Sequence, residues 1–149
     1  RYENSAEHSW QTALTALLFI DEADPALDAL KVLKMMLVHD LVEVDTGDVI
    51  IYDEAARKEN EIHERRAAER IFGLLPDPLG TELKEIWIEF EENKTPEAQF
   101  AKAIDRINPV VQNLNNEGQS WVENGISLTQ VLEKNQGVKS KKTGLDAFI

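Results

Sequence analysis

The residues best suited to chemistry are His39, Asp40 and Glu43, in the stretch Val38-His39-Asp40-Leu41-Val42-Glu43. On a helix end, neighbouring residues project about 100° apart, near the right angle between adjacent octahedral positions, so His39 and Asp40 can reach one ion together. Glu43 follows one turn later, where a carboxylate overlooks such an ion without having to bind it, as a water-orienting or proton-donating group should. The chain contains no Cys. Disulfides, thiolate zinc sites and a Cys nucleophile are therefore excluded, and a metal here has only His and carboxylate donors.

Two more candidates lie on other helices. Asn4 followed three residues later by Glu7 resembles a capping box that opens a helix from about Ser5 to Ile20, with His8 in its first turn. The positive end of the helix dipole there disfavours an imidazolium and predicts a neutral ring. Taken alone, His8 reads as a capping or packed histidine. Asp105 falls beside the apolar stripe Phe100, Ile104, Ile107, Val111 and Leu114 of a helix announced by Thr95-Pro96-Glu97. An Asp at a core border needs a partner, and Arg106 points about 100° away, so a cation from elsewhere is the economical partner. His8, His39, Asp40 and Asp105 together suit one divalent transition metal, Co²⁺, Mn²⁺, Fe²⁺ or Zn²⁺, with Mg²⁺ also admissible.

The remaining elements read as scaffold. In the first helix Trp10, Leu14 and Leu17 recur at helical spacing and are predicted to face the core. Asp24-Pro25 is an N-cap followed by proline, so a second helix is expected from there. Leu27, Leu30, Val32, Leu33, Met36, Leu37 and Leu41 predict its burial on most sides. A loop with a Gly-centred turn is expected over 44–53, followed by a helix from Glu54 to Leu75 and another from Asp77-Pro78. Lys58, Arg65 and Arg66 form a charged face from which a cation, Arg66 for preference, could reach a phosphate. His63 is read as solvent-exposed. No segment alternates with the period of a strand. The expected fold is all-α, a single bundle of about six helices spanning 1–149, with its core over 4–117 and a short helix and loops over 118–149.

Composition narrows the partners. The formal net charge of −12 argues against coating a nucleic-acid polymer, which basic patches do by displacing counterions. A small phosphorylated substrate remains compatible, because salt screens a distant acidic surface over roughly 8 Å. No apolar run of about 18 residues exists, so no membrane helix is expected, and the absence of Cys fits a reducing compartment such as the cytoplasm. The chain starts at Arg1 without Met, so upstream residues are expected to be missing.

These residues resemble a known family. A single His, then a His-Asp pair, then a distant Asp is the pattern of HD-domain metal-dependent phosphohydrolases. Arg1 to Ser9, His39 to Glu43 with Thr46-Gly47-Asp48, and Ala103 to Arg106 resemble in particular its 5′-deoxynucleotidase branch, the YfbR-like proteins. The similarity runs from Arg1 to about Glu117. It implies a homodimeric helical domain that removes the 5′-phosphate from deoxyribonucleoside monophosphates with a Co²⁺- or Mn²⁺-type ion. By position, His8, His39, Asp40 and Asp105 match the metal ligands, Glu43 the catalytic acid/base, and Asp48 a substrate-site aspartate. The implied reaction is attack of a metal-activated water on phosphorus, with Glu43 orienting that water or protonating the leaving 5′-oxygen. Arg1 matches a family arginine, while the Arg-Trp pair that selects deoxy sugars in this branch is expected upstream of Arg1.

Two alternatives compete with this reading. Relatives with two metals add histidines between the His-Asp pair and the last Asp, where this chain has only His63; one metal is therefore favoured over a phosphodiesterase-like pair. A non-catalytic HD module that binds a metal or nucleotide would not need Glu43 and Asp48 beside a full ligand set.

Overall fold

The computed structural model describes residues 3–47 and 54–139. Among them are helices and turns and no strand, in accord with the all-α expectation. Five longer helices form the body: α1 (Ser5–Phe19), α2 (Ala29–Val38), α4 (Glu54–Phe72), α5 (Leu79–Glu92) and α6 (Pro96–Asn115). Three short ones join them: α3 (Glu43–Thr46), α7 (Gln119–Glu123) and α8 (Leu128–Lys134). Helix α2 is central and contacts α1, α5 and α6, while α4 packs on α3 and α5.

The capping signals act largely where the sequence puts them. Asn4 accepts from Glu7 N–H while the Glu7 carboxylate accepts from Asn4 N–H, closing the box that starts α1. Thr95 caps α6 in the same way through Ala98 N–H, with Pro96 in the first turn. The start of α2 differs from the expectation. Asp24 accepts from Ala26 N–H in a turn of its own, and the cap is Asp28, which accepts from Lys31 N–H at 3.0 Å. The proline marks that turn, and α2 begins four residues later at Ala29.

Helix α1 buries the opposite face from the one expected. Ser9, Thr12 and Ala16 are buried, whereas Trp10, Leu14 and Leu17 are 67%, 42% and 50% exposed. The buried stripe is made of small side chains, which let α1 lie close to α2 and α6. Its one fully buried hydroxyl, on Thr12, donates within its own helix toward the His8 and Ser9 carbonyls. Helix α2 likewise buries one face only. Val32, Met35, Met36 and Val38 are inside, while Leu30, Leu37 and Leu41 are exposed, correcting the expectation of burial on most sides. The inward residues of α6 are Phe100, Ile104 and Ile107; Val111 and Leu114 of the predicted stripe lie outside.

Helix α2 ends at Val38, and His39 is its C-cap. The chain then turns, Glu43 N–H donating to the Asp40 carbonyl, before α3 starts at Glu43 and runs on through 44–46 of the segment expected to be loop. Gly47 closes α3 with φ +77°, in the region that suits glycine. Residues 48–53 of the expected loop, including Asp48, lie outside the described residues, as does Arg1.

Candidate metal centre

The short α3 is tied to the body by Asp45, whose two carboxylate oxygens accept from Arg70 of α4, each at 2.6 Å. Lys31 of α2 pairs with Glu89 of α5 at 2.7 Å. These contacts fix the frame in which α1, the end of α2 and α6 converge.

His39 is 4% exposed and held from three sides. Its backbone carbonyl accepts from Trp87 Nε1 at 3.1 Å, its ring lies 5.1 Å from that of Phe90, and its Nδ1 lies 3.0 Å from the Met36 carbonyl. A carbonyl only accepts, so Nδ1 carries the proton and Nε2 presents its lone pair. Asp40 Oδ1 stands 3.1 Å and Asp105 Oδ1 3.6 Å from Nε2. Buried Nε2 nevertheless has no hydrogen-bond partner among the described residues.

His8 approaches from α1. Its Nε2 lies 3.0 Å from Asp105 Oδ1 and 3.8 Å from Asp40 Oδ2, while its Nδ1 faces Glu3 Oε2 at 3.1 Å. The structure thus brings His8, His39, Asp40 and Asp105 together from three helical segments. Glu43 is half-buried one turn beyond Asp40. Arg66 is exposed on α4, and no described contact joins it to this cluster; His63 is exposed as read.

Electrostatics correct one expectation. Burial by itself would lower the His8 pKa, but Asp105, Asp40 and Glu3 outweigh it and raise it from 6.5 to about 9. The ring is therefore protonated at neutral pH in the metal-free chain, because nearby carboxylates exceed the half charge of a helix N-terminus. Burial would likewise push the Asp105 carboxyl up, yet the hydrogen bond and charge of the facing His8 ring hold it well below the ordinary carboxylate range.

The donor set fits a cation. Atoms bound about 2.1 Å from a common ion stand about 3.0 Å apart at a right angle and about 3.4 Å apart at the tetrahedral angle. The four separations here run from 3.0 to 3.8 Å. His8, His39 and Asp105 each offer an atom within 4.8 Å of the other two. The orphaned lone pair of His39 aimed at two carboxylates is what a bound cation would satisfy. Glu3, Met36, Trp87 and Phe90 support this cluster; the periodicity places Met36, Trp87 and Phe90 in the core, where they are buried, but nothing in the sequence ties them or Glu3 to the site. A glutamate just ahead of a helix cap and a backbone carbonyl have no pattern that points to a metal.

The HD domain family matches residues 1–144. The chain is 34% identical to the 5′-deoxynucleotidase HDDC2 of Xenopus laevis, over 77% of this chain and 56% of that protein. It is 31% identical to the human HDDC2, over 75% and 53% of the two chains, and 30% identical to that of Dictyostelium discoideum, over 91% and 74%. It thus spans little more than half the length of the vertebrate relatives. A crystal structure of a predicted metal-dependent phosphohydrolase from Magnetospirillum magnetotacticum superposes with a TM-score of 0.89 at 41% identity, covering 99% of this chain and 74% of that one. The chain belongs to the HD-domain family.

Proposed function

We propose that this chain is a metal-dependent 5′-deoxynucleotidase, converting deoxyribonucleoside 5′-monophosphates to deoxynucleoside and phosphate. The observation that carries the reading is the convergence of His8, His39, Asp40 and Asp105 with the buried His39 Nε2 lone pair turned inward. The names of the similar proteins support the substrate class.

His8, His39, Asp40 and Asp105 would hold one divalent ion per chain, of the Co²⁺ or Mn²⁺ type. Such an ion, when bound, supplies positive charge that polarises a phosphoryl group and acidifies water. Asp40 and Asp105 neutralise that charge in part, and the fixed imidazoles keep the donor atoms in place without reorganisation. Glu43, one turn past Asp40, orients the attacking water or protonates the leaving 5′-oxygen: water oxygen bonds to phosphorus, the bond from phosphorus to the 5′-oxygen breaks, and the proton passes to that oxygen. Asp48 joins the substrate site, and Arg1 and Arg66 are the proposed phosphate contacts. The proposed setting is the cytoplasm; among the described residues no helix is long and apolar enough to cross a membrane. The proposed assembly is a homodimer, for which the exposed apolar stripe Trp10, Leu14 and Leu17 offers a surface.

The test is phosphate release from a panel of deoxy- and ribonucleoside monophosphates after metal stripping and reloading, with Asp40→Ala as control. Release from deoxynucleotides that depends on the added metal and vanishes in Asp40→Ala is expected. A chain that binds metal but releases phosphate from none of them would sink the proposal.

A further inference from the structure

Glu3 stands outside the four-residue cluster yet touches one member of it. Its Oε2 lies 3.1 Å from His8 Nδ1, and both of its oxygens lie close to the Gln112 side-chain amide nitrogen, at 3.1 and 3.0 Å. The same nitrogen lies 3.1 Å from Gln11 Oε1. Gln112 stands seven residues beyond Asp105 on α6, about two helical turns and so on the same face, and Gln11 stands one turn beyond His8 on α1. The helix that carries Asp105 therefore also carries the side chain that holds Glu3, and the helix that carries His8 supplies Gln11 as a second acceptor for that same amide; Glu3 itself lies just ahead of the Asn4 cap.

We propose that Glu3 is a positioning residue of the metal centre. Its carboxylate accepts the Nδ1 proton of His8 and so keeps Nε2 as the atom that faces Asp105 and Asp40, while Gln112 keeps the carboxylate itself from swinging into solvent. The role rests on reading the cluster as a cation site. Glu3 meets the edge of the ring away from the other three side chains, so it acts through His8. The comparison with His39 is informative. There the Nδ1 acceptor is the neutral Met36 carbonyl, inside the same helix and fixed by the backbone. At His8 the acceptor is an anion, which makes Nε2 the stronger donor, but it sits on a segment without regular structure and must be anchored. Gln112 supplies that anchor across 109 residues of sequence.

Zinc serves as the probe. Its dissociation constant is measured by chelator competition for the wild-type chain and for Glu3→Ala, Glu3→Gln and Gln112→Leu. The Nδ1 proton of His8 is followed by NMR in the zinc-loaded chain, and helicity is checked without metal. Glu3→Ala is expected to weaken zinc binding roughly 10–100-fold and to move the His8 Nδ1 resonance. Glu3→Gln, whose amide oxygen still accepts, should recover part of the loss, and Gln112→Leu should show a smaller loss in the same direction. Wild-type zinc affinity and an unmoved resonance in a folded Glu3→Ala overturn the role; if that variant does not fold, wild-type affinity in Gln112→Leu overturns it. A wild-type chain that takes up no zinc overturns the cation site and this role with it, an outcome distinct from zinc binding that ignores Glu3.

Discussion

His8 Nε2 and Asp105 Oδ1 meet at 3.0 Å although 97 residues separate them in the chain. In the metal-free chain this contact is a charged hydrogen bond, with the imidazole pKa raised to about 9 and the carboxyl held low. The same two atoms are those that would face a bound cation, so proton and metal compete for one position.

The first consequence concerns stability without metal. A histidine raised from 6.5 to about 9 contributes stability that is complete below pH 6.5 and gone once pH has risen past about 9. Asp105, held low, contributes above its ordinary value and loses that contribution as pH falls further. The pair should therefore stabilise the metal-free chain most between roughly pH 4 and 6.5. Urea unfolding of wild type and His8→Gln across pH 6 to 10 checks this. The difference between 6.5 and about 9 corresponds to roughly 3 kcal/mol lost by wild type and not by the variant. Parallel pH profiles would contradict it.

Metal uptake should release a proton. At pH 7.5 His8 is still protonated in the metal-free chain, and a ligand nitrogen must be neutral, so binding displaces about one proton per ion. Calorimetric titration in two buffers of different ionisation enthalpy measures it. Heats that do not depend on the buffer would mean that His8 is not a ligand.

Glu43→Ala should keep the metal and lose turnover. Glu43 begins α3, and Asp45 and Arg70 hold that helix in place through contacts that do not involve the Glu43 side chain. A positioned acid/base contributes typically about 10²–10⁴-fold, and a kcat loss of that size with unchanged metal content is expected. Loss of the metal instead would make Glu43 a ligand.

Phe90 supports the site through packing. It is 3% exposed with its ring against His39, and Lys102 Nζ lies 4.4 Å from its centroid. Phe90→Ala should cost about 3–5 kcal/mol and weaken metal binding, because His39 loses the wall that holds its ring. Thermal melting with and without metal reads both effects. Full metal affinity in a destabilised variant would show that the Met36 hydrogen bond alone orients His39.

The sequence by itself determined the helical class, the caps at Asn4 and Thr95, and the candidate residues His8, His39, Asp40, Glu43 and Asp105. The class and the caps rest on local chemistry, a cap being read from residues three apart; the candidates rest on three segments standing in the order and spacing of the HD pattern, since a bare His-Asp pair is a weak signal. The tertiary structure alone decided which faces are inside. Trp10 and Leu14 have the spacing of a core stripe, but spacing states only that residues share a face, and α1 turned its small residues inward because they permit the closer approach to α2 and α6. It also decided the protonation of His8, since the carboxylates that set it come from Glu3, Asp40 and Asp105 on separate segments. The supports of the site, Gln112 on Glu3 and Trp87 and Phe90 on His39, were equally invisible, because contacts across tens of residues leave no periodic trace in the chain.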